Sequence, residues 1–378
     1  MITFEITFWL SLALVGYSYV GYPFLLWVLS FFRAYDVVRG NSTPSVTYIV
    51  TAYNEEKRIA EKLDNTLALT YPSALLEILV ASDCSSDNTD AIVSSYAGRG
   101  IRLVRSPKRK GKEAAQKLAV EVAKGEILVF SDVATILPKD AISNIVRSFQ
   151  DPTVGCVSSV DRFIDQDGRV SGEGAYVKYE MFLRSLETRV NSLVGLSGSF
   201  FAARRIVCQP WADDLQSDFS TLLNSISLGM RGVSDQTSVG YYKNLASEQQ
   251  EYQRKVRTVV RGLSVLARRR GMLNPFRHGL FSWQLFSHKL CRWLVPFGLL
   301  AALVSNLVLA SHTSFFMCAF IIQLCFYGIA TVGVVSIRAR RSMVRLAAFF
   351  VMVNVSILDA WIRFFRGQRV VAWESSRR

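Results

Sequence analysis

No Gly-x-Gly-x-x-Gly follows the first β-branched run of this chain, and no Gly-x-x-x-x-Gly-Lys-Ser/Thr occurs in its 378 residues. The first absence argues against a Rossmann dinucleotide site, and the second excludes a P-loop. The six cysteines stand apart, with no Cys-x-x-Cys pair. Neither a zinc site nor a disulfide framework is indicated, and a reducing compartment fits. The N-terminus carries Glu5 and no Lys or Arg before Arg33, and no small-residue cleavage site follows the first apolar run. That run therefore reads as an uncleaved anchor and not as a signal peptide. Acidic residues are the minority, 30 against 44 Lys and Arg, for a net charge of +14. Nucleic acid, a membrane surface or a phosphate-bearing ligand would each suit such a balance. The basic clusters (Arg254, Lys255, Arg257, Arg261, Arg268 to Arg270; Arg338, Arg340, Arg341, Arg345) abut apolar segments. Their placement favours the cytoplasmic membrane face over nucleic acid.

Half of the residues are hydrophobic, and they gather at the two ends. Ile6 to Phe32 is uncharged and long enough to span a bilayer. Arg33 and Arg39 follow it, which places the next segment in the cytoplasm. Four segments result: an anchor over 1–35, a soluble domain over 36–247, basic amphipathic interfacial helices over 248–290 and a transmembrane region over 291–378. In the last, Trp293–Ala310 and Phe315–Ile337 read as spans. The stretch 346–365 contains Asn354 and Asp359, and its crossing is left open.

Within the soluble segment, Ser45–Val50, Glu77–Ser82, Ile101–Val104 and Glu126–Phe130 read as strands. Arg58–Leu69 and Glu113–Ala123 read as helices, and a further helix, capped by Asp87 or Asn88, runs to Tyr96. Strand and helix alternate, which predicts an α/β, doubly wound, mostly parallel sheet. Polar groups stand at successive strand ends: Thr51 to Glu56, Asp83 to Thr89, and Asp132. Open sheets of this kind place their ligand on that carboxyl edge. Carboxylates there can hydrogen-bond a uracil imide and ribose hydroxyls, and a Lys can neutralise a diphosphate. The ligand this describes is a nucleotide carrying a group on its phosphates.

These residues resemble the family 2 glycosyltransferases of GT-A fold, in particular membrane-bound bacterial exopolysaccharide and cellulose-synthase-like enzymes. The resemblance runs through Thr51–Glu56, Ser82–Thr89, Gly111 to Ala115, Phe130–Thr135, Tyr179-Glu180, Gly198 to Phe200, Ser217 to Phe219, Arg254 to Thr258 and Ser287–Pro296. It implies that Thr51, Tyr53, Glu55, Asp83 and Lys112 bind the nucleotide donor. It also implies that Asp132 binds donor and metal, Mg²⁺ or Mn²⁺, and that Asp218 is the general base. Arg254 and Arg257 would cover the diphosphate, and Glu180, Gly198 and Ser199 would border the acceptor. The implied reaction is inverting transfer from a nucleotide sugar, most simply UDP-linked, to a lipid-linked saccharide or growing polysaccharide. Two rivals are a polyprenyl-phosphate glycosyltransferase and a non-catalytic donor-binding subunit of a synthase complex. The implied setting is a multi-pass protein of the bacterial inner membrane, facing the cytoplasm, among membrane lipids and other exopolysaccharide-assembly proteins.

Three positions depart from the family pattern. Ala134 stands where the metal motif has a second oxygen ligand, Ser217 stands in place of an acid beside Asp218, and the Gln-x-x-Arg-Trp motif is absent. Asp218 also stands where an N-cap for a helix Phe219–Leu228 would stand, and Asp213-Asp214 offer an alternative base.

Overall fold

The computed structural model describes residues 1–164, 175–243, 248–335 and 342–368. Two compact units result: Val28–Ala246 with Ser264–Phe281, and Met1–Trp27 with Ser247–Leu263 and Ser282–Arg369. These bounds differ from the sequence segments because the chain around Ser264–Phe281 packs with the α/β unit. Arg268 ion-pairs Asp214 at 2.8 Å, and Arg269 donates to Asn224 Oδ1 at 2.6 Å.

The α/β unit is built on seven strands: β1 Val46–Ala52, β2 Leu76–Ser82, β3 Ile101–Arg105, β4 Ile127–Asp132, β5 Val154–Ile164, β6 Phe200–Arg204 and β7 Arg231–Lys243. Their order in the sheet is β3-β2-β1-β4-β6-β5-β7. β1 to β4 run parallel, β6 lies antiparallel between β4 and β5, and β7 pairs parallel with β5. The doubly wound, mostly parallel sheet expected from the sequence is therefore present. Every residue of β1 is buried, as a central parallel strand requires. Tyr48, Val50, Val80 and Val129 join Ile59, Leu63, Ile142 and Ile145 of two covering helices in one core. Each such aliphatic contributes roughly 1.5–3 kcal/mol by its burial. The buried hydroxyl of Thr47 donates to Glu77 Oε2 at 2.7 Å and accepts the Gly125 N–H at 2.8 Å.

In the second unit, four helices are long and apolar enough to cross a membrane: Ile2–Phe32, Leu280–Leu309, Ser314–Gly333 and Val344–Phe365. This is a membrane protein, and the stretch left open in the sequence is a 22-residue apolar helix. The helix Leu280–Leu309 begins well before Trp293, where the sequence pattern starts the span. Its early polar residues pack against the first helix. Trp283 donates its indole N–H to Tyr17 Oη at 3.0 Å, and Tyr17 and Ser287 hydroxyls bond at 2.6 Å. The basic helix Glu248–Arg268 is tied to the last apolar helix by Tyr252 Oη donating to Asp359 at 3.1 Å. Arg338, Arg340 and Arg341 lie outside the described residues.

One buried arginine fixes the linker that follows the first apolar helix. Arg231 is 4% exposed and stacks at 3.7 Å on Tyr35. It donates to Tyr35 O at 2.6 Å, Thr188 O at 3.3 Å, Asp36 O at 3.3 Å and Thr153 Oγ1 at 3.2 Å, and it pairs with Asp151 at 3.0 Å. Arg231→Ala strands a buried carboxylate, at an expected cost of about 3–5 kcal/mol. The readout is the apparent melting temperature of the purified full chain. Arg231→Lys recovers little of it, because an ammonium has no planar fork; a lysine variant as stable as wild type would contradict this account.

Candidate active site

Strand register gathers the site. Ala52 pairs with Ser82 and Thr51 with Asp132, so β1, β2 and β4 end at one edge. The chain leaves it through two left-handed residues, Asn54 at φ 52° and Cys84 at φ 56°. Asn tolerates that region, whereas for Cys it is strained and must be held by its surroundings. The two strand-end loops are laced together here. Asn54 N–H donates to Ser85 Oγ at 3.2 Å, and Ser86 N–H donates to Asn54 Oδ1 at 2.9 Å. Glu55 N–H donates to Thr89 Oγ1 at 2.7 Å and Glu56 N–H to Asp87 at 3.1 Å. Asn88 is the N-cap of the helix Thr89–Ser95 but makes no side-chain cap bond. Asp87 accepts the Thr89 N–H instead, at 3.0 Å.

The residues singled out in the sequence fall as follows. Thr51 is buried, and its hydroxyl accepts from Gln116 at 3.1 Å. The Tyr53 ring lies 4.1 Å beneath the Arg109 guanidinium. Glu55 is buried against Arg58, with Nη2 at 2.6 Å. Burial raises its pKa, Arg58 works the other way, and the Asp132 and Asp87 charges add to the rise. Asp83 is buried, and its two oxygens accept the N–H groups of Lys110 at 2.9 Å and Gly111 at 2.8 Å. Gly111, at φ 103°, is the N-cap from which the helix Lys112–Val122 starts.

Lys112 then reaches across the edge. Its Nζ lies 2.5 Å from Asp132 Oδ1 and 2.9 Å from the Gly198 carbonyl. The Ser199 carbonyl accepts the Asp132 N–H at 3.0 Å. Asp218 is the second residue of the helix Ser217–Ser227, whose N-cap is Gln216, so it is not the cap itself. Its carboxylate accepts from Gln216 Nε2 at 3.0 Å and from the Phe219 N–H at 2.9 Å. A Cβ on Gly198 would stand 2.9 Å from Asp218 Oδ2. Only glycine allows so close an approach. Lys112, Asp132, Gly198 and Asp218 therefore form one cluster, with Ser199 beside it.

Glu180 lies half-buried on the helix Ala175–Val190. Arg254 and Arg257 belong to the membrane unit, where Arg254 pairs with Glu251 at 2.9 Å.

Several groups escaped the sequence pattern. Ser197 and Ser199 hydroxyls both reach Asp161, at 2.5 and 3.2 Å. Trp211 stacks on Phe130 with centroids 5.1 Å apart and donates to the Glu113 carbonyl at 2.9 Å. Lys62, fully buried, donates to Ser131 Oγ at 2.8 Å and to the Thr135 carbonyl at 2.6 Å. One signal for Lys62 was available: Ile59, Lys62, Leu63 and Thr66 share one helix face, which puts the lysine at a core position.

Among the described residues no group of three His, Cys, Asp or Glu side chains can hold a metal. Asp132 is a lone carboxylate, 24% exposed, and its Oδ2 takes no hydrogen bond among the described residues. One open carboxylate oxygen fits a Mg²⁺-type ion that draws its remaining ligands from phosphates and water.

A mostly parallel sheet with an antiparallel strand inserted next to β4 is the GT-A architecture expected from the sequence. A solved mannosyltransferase, PcManGT from Pyrobaculum calidifontis in complex with GDP-Man and Mn²⁺, shares this fold with a TM-score of 0.74. The two are 23% identical, over 96% of this chain and 99% of the other. The family model for glycosyl transferase family 2 matches residues 47–209. An N-acetylglucosaminyltransferase of Rhizobium leguminosarum bv. trifolii is 32% identical over 130 residues, 33% of this chain and 70% of that protein. A hyaluronan synthase of Streptococcus pyogenes serotype M3 is 32% identical over 166 residues, 40% of this chain and 39% of its own length. The chain thus spans about two fifths of that synthase. The chain belongs to glycosyltransferase family 2.

The buried lysine beneath the cluster generates a pH dependence. Burial pushes the Lys62 pKa down to about 7, against a weaker upward pull from Asp132. Above that value and below an ordinary lysine pKa of about 10.4, the unfolded chain holds a proton that the folded chain does not. Stability from this group therefore rises with pH across that window, by at most about 1.4 kcal/mol per unit, and is flat below it. Between pH 7 and pH 9 the apparent melting temperature of wild type is expected to gain more than that of Lys62→Met. Equal slopes for the two proteins would refute the assignment.

Proposed function

We propose that the chain transfers a sugar, with inversion, from a nucleotide sugar to a lipid-linked saccharide or a growing polysaccharide. The donor is UDP-linked in the first instance. The setting is the cytoplasmic face of a bacterial inner membrane, with 1–35 as anchor, 36–247 as catalytic domain, 248–290 as interfacial helices and 291–378 as the transmembrane end. The observation that carries the reading is the single cluster of Lys112, Asp132, Gly198 and Asp218 at the strand-end edge. The names of the hyaluronan synthase and the N-acetylglucosaminyltransferase support it, and the mannosyltransferase supports its fold.

In this reading Thr51, Tyr53, Glu55 and Asp83 shape the nucleotide pocket. Lys112 moves from Asp132 toward the arriving diphosphate. The acceptor, bordered by Glu180, Gly198 and Ser199, presents a hydroxyl to the anomeric carbon. A new C–O bond forms as the bond to the diphosphate breaks, and the acceptor proton passes to the Asp218 carboxylate. That carboxylate sits in the first turn of a helix, where backbone N–H groups favour an anion. A divalent cation at Asp132, Mg²⁺ or Mn²⁺, would supply charge neutralisation at the leaving diphosphate.

Released nucleotide, measured in membranes against a panel of donors with and without EDTA, tests donor and metal together. Asp218→Asn is expected to lower transfer by about 10²–10⁴-fold while nucleotide binding persists; turnover at the wild-type rate would remove Asp218 from the mechanism. Gly198→Ala pushes on the same carboxylate through its new methyl group. It should slow transfer by about ten- to a hundredfold, with nucleotide affinity kept. Wild-type transfer by that variant would show that the close approach does not matter to the chemistry.

A further inference from the structure

A second pocket lies in the α/β unit, with a volume of about 260 Å³. Tyr35, Asn191, Arg231, Arg277, His278 and Phe281 are among the residues lining it. It is not the candidate active site. Its Thr153 edge precedes β5, whereas Asp161, farther along the same strand, bonds Ser199 beside the Asp132 cluster. None of the lining residues belongs to the cluster of Lys112, Asp132, Gly198 and Asp218.

The chain itself says where this pocket lies. Tyr35 comes three residues after Phe32, the end of the first apolar helix, which is a reach of at most about 11 Å. Phe281 is the second residue of the apolar helix Leu280–Leu309. Two residues of the lining thus lie, along the chain, within three residues of an end of a membrane-length helix. The aromatic residues nearby fit that boundary. Phe276 is 99% exposed, Phe32 85% and Phe31 65%. Rings left this open to water are expected at the level of lipid headgroups.

The charge inside the pocket is positive. Arg231 is balanced by Asp151 and has its N–H groups engaged by the carbonyls of Tyr35, Asp36 and Thr188. Arg277 is exposed and has no ion pair among the described residues. Burial first, and then the neighbouring Arg277 charge, hold the His278 pKa below its ordinary value. At neutral pH the imidazole is therefore a neutral hydrogen-bonding group, and Arg277 supplies the charge. A guanidinium fork suits the paired oxygens of a phosphate. The volume equals that of about eight waters at roughly 30 Å³ each, enough for a phosphodiester and its glycerol.

We propose that this pocket binds the phosphate headgroup of an anionic membrane phospholipid, held by Arg277 and His278 at the membrane–water boundary. The site is separate from the transfer chemistry and does not depend on the donor or acceptor assigned above.

The test uses the full-length chain purified in detergent and offered phosphatidylglycerol or phosphatidylcholine, with retained lipid counted by native mass spectrometry. Wild type should retain phosphatidylglycerol preferentially. Arg277→Gln/His278→Gln should weaken that retention about tenfold, the loss of one charged hydrogen-bonded contact. Both side chains are at least partly exposed, so the fold should survive, and an unchanged melting temperature verifies it. Phosphatidylglycerol retention undiminished in the double variant overturns the proposal, as does equal retention of phosphatidylcholine by wild type. Loss of the lipid to millimolar inorganic phosphate overturns the lipid assignment and leaves a site for a free anion.

Discussion

β4 occupies the middle of the sheet, with parallel β1 on one side and antiparallel β6 on the other. That reversal is the constraint on which the candidate site depends. Parallel neighbours finish together, so β1, β2 and β4 all release their polar residues at one edge. An antiparallel neighbour starts where they finish, so the residues just before β6, Gly198 and Ser199, arrive at the same edge. The crevice at such a change of strand direction is where α/β sheets take their ligands. Asp132 is the last residue of β4 and sits at its mouth.

Two lysines then hold this strand end. Lys62 grips Ser131 and the Thr135 carbonyl from within the core, and Lys112 reaches Asp132 from the start of a helix. The buried ammonium has hydrogen-bond acceptors around it and only one nearby negative charge, that of Asp132. Lys112, for its part, is paired with Asp132. In the mechanism proposed above, a diphosphate would compete with Asp132 for Lys112, and a cation would compete with Lys112 for Asp132. The two exchanges favour each other, because each leaves behind the partner that the other needs.

The first four strands and their polar ends were legible because a buried parallel strand is a near-continuous apolar run, and β1, β2 and β4 are such runs. The other three strands were not. β5 contains Gly155, Ser158 and Ser159, and β7 Gly232, Ser234 and Gly240, which interrupt the apolar run, and β6 is only five residues long. The helix position of Asp218 was legible to within two residues, but its approach to Gly198 depends on tertiary packing. The early start of the helix Leu280–Leu309 was hidden by Ser282, Gln284 and Ser287, which are polar in the sequence and buried in the fold. Arg254 and Arg257 follow the family pattern in order along the chain, yet they fall in the other compact unit.

Arg231 shows the same limit in energetic terms. Burying a guanidinium is costly, and a well-packed hydrophobic residue in place of a buried ion pair is often as stable or more so. An apolar residue here would leave more than a carboxylate unsatisfied. Thr188 stands in the last turn of the helix Ala175–Val190, where carbonyls have no partner within the helix. Tyr35 and Asp36 lie in a linker that belongs to no strand or helix, so their carbonyls also need donors from elsewhere. One planar fork with five N–H donors serves all three carbonyls and Asp151 together. The arginine is thus retained by the backbone it satisfies more than by the charge it pairs. No periodicity in the sequence could have announced a residue whose partners include carbonyl oxygens from two distant segments of the chain.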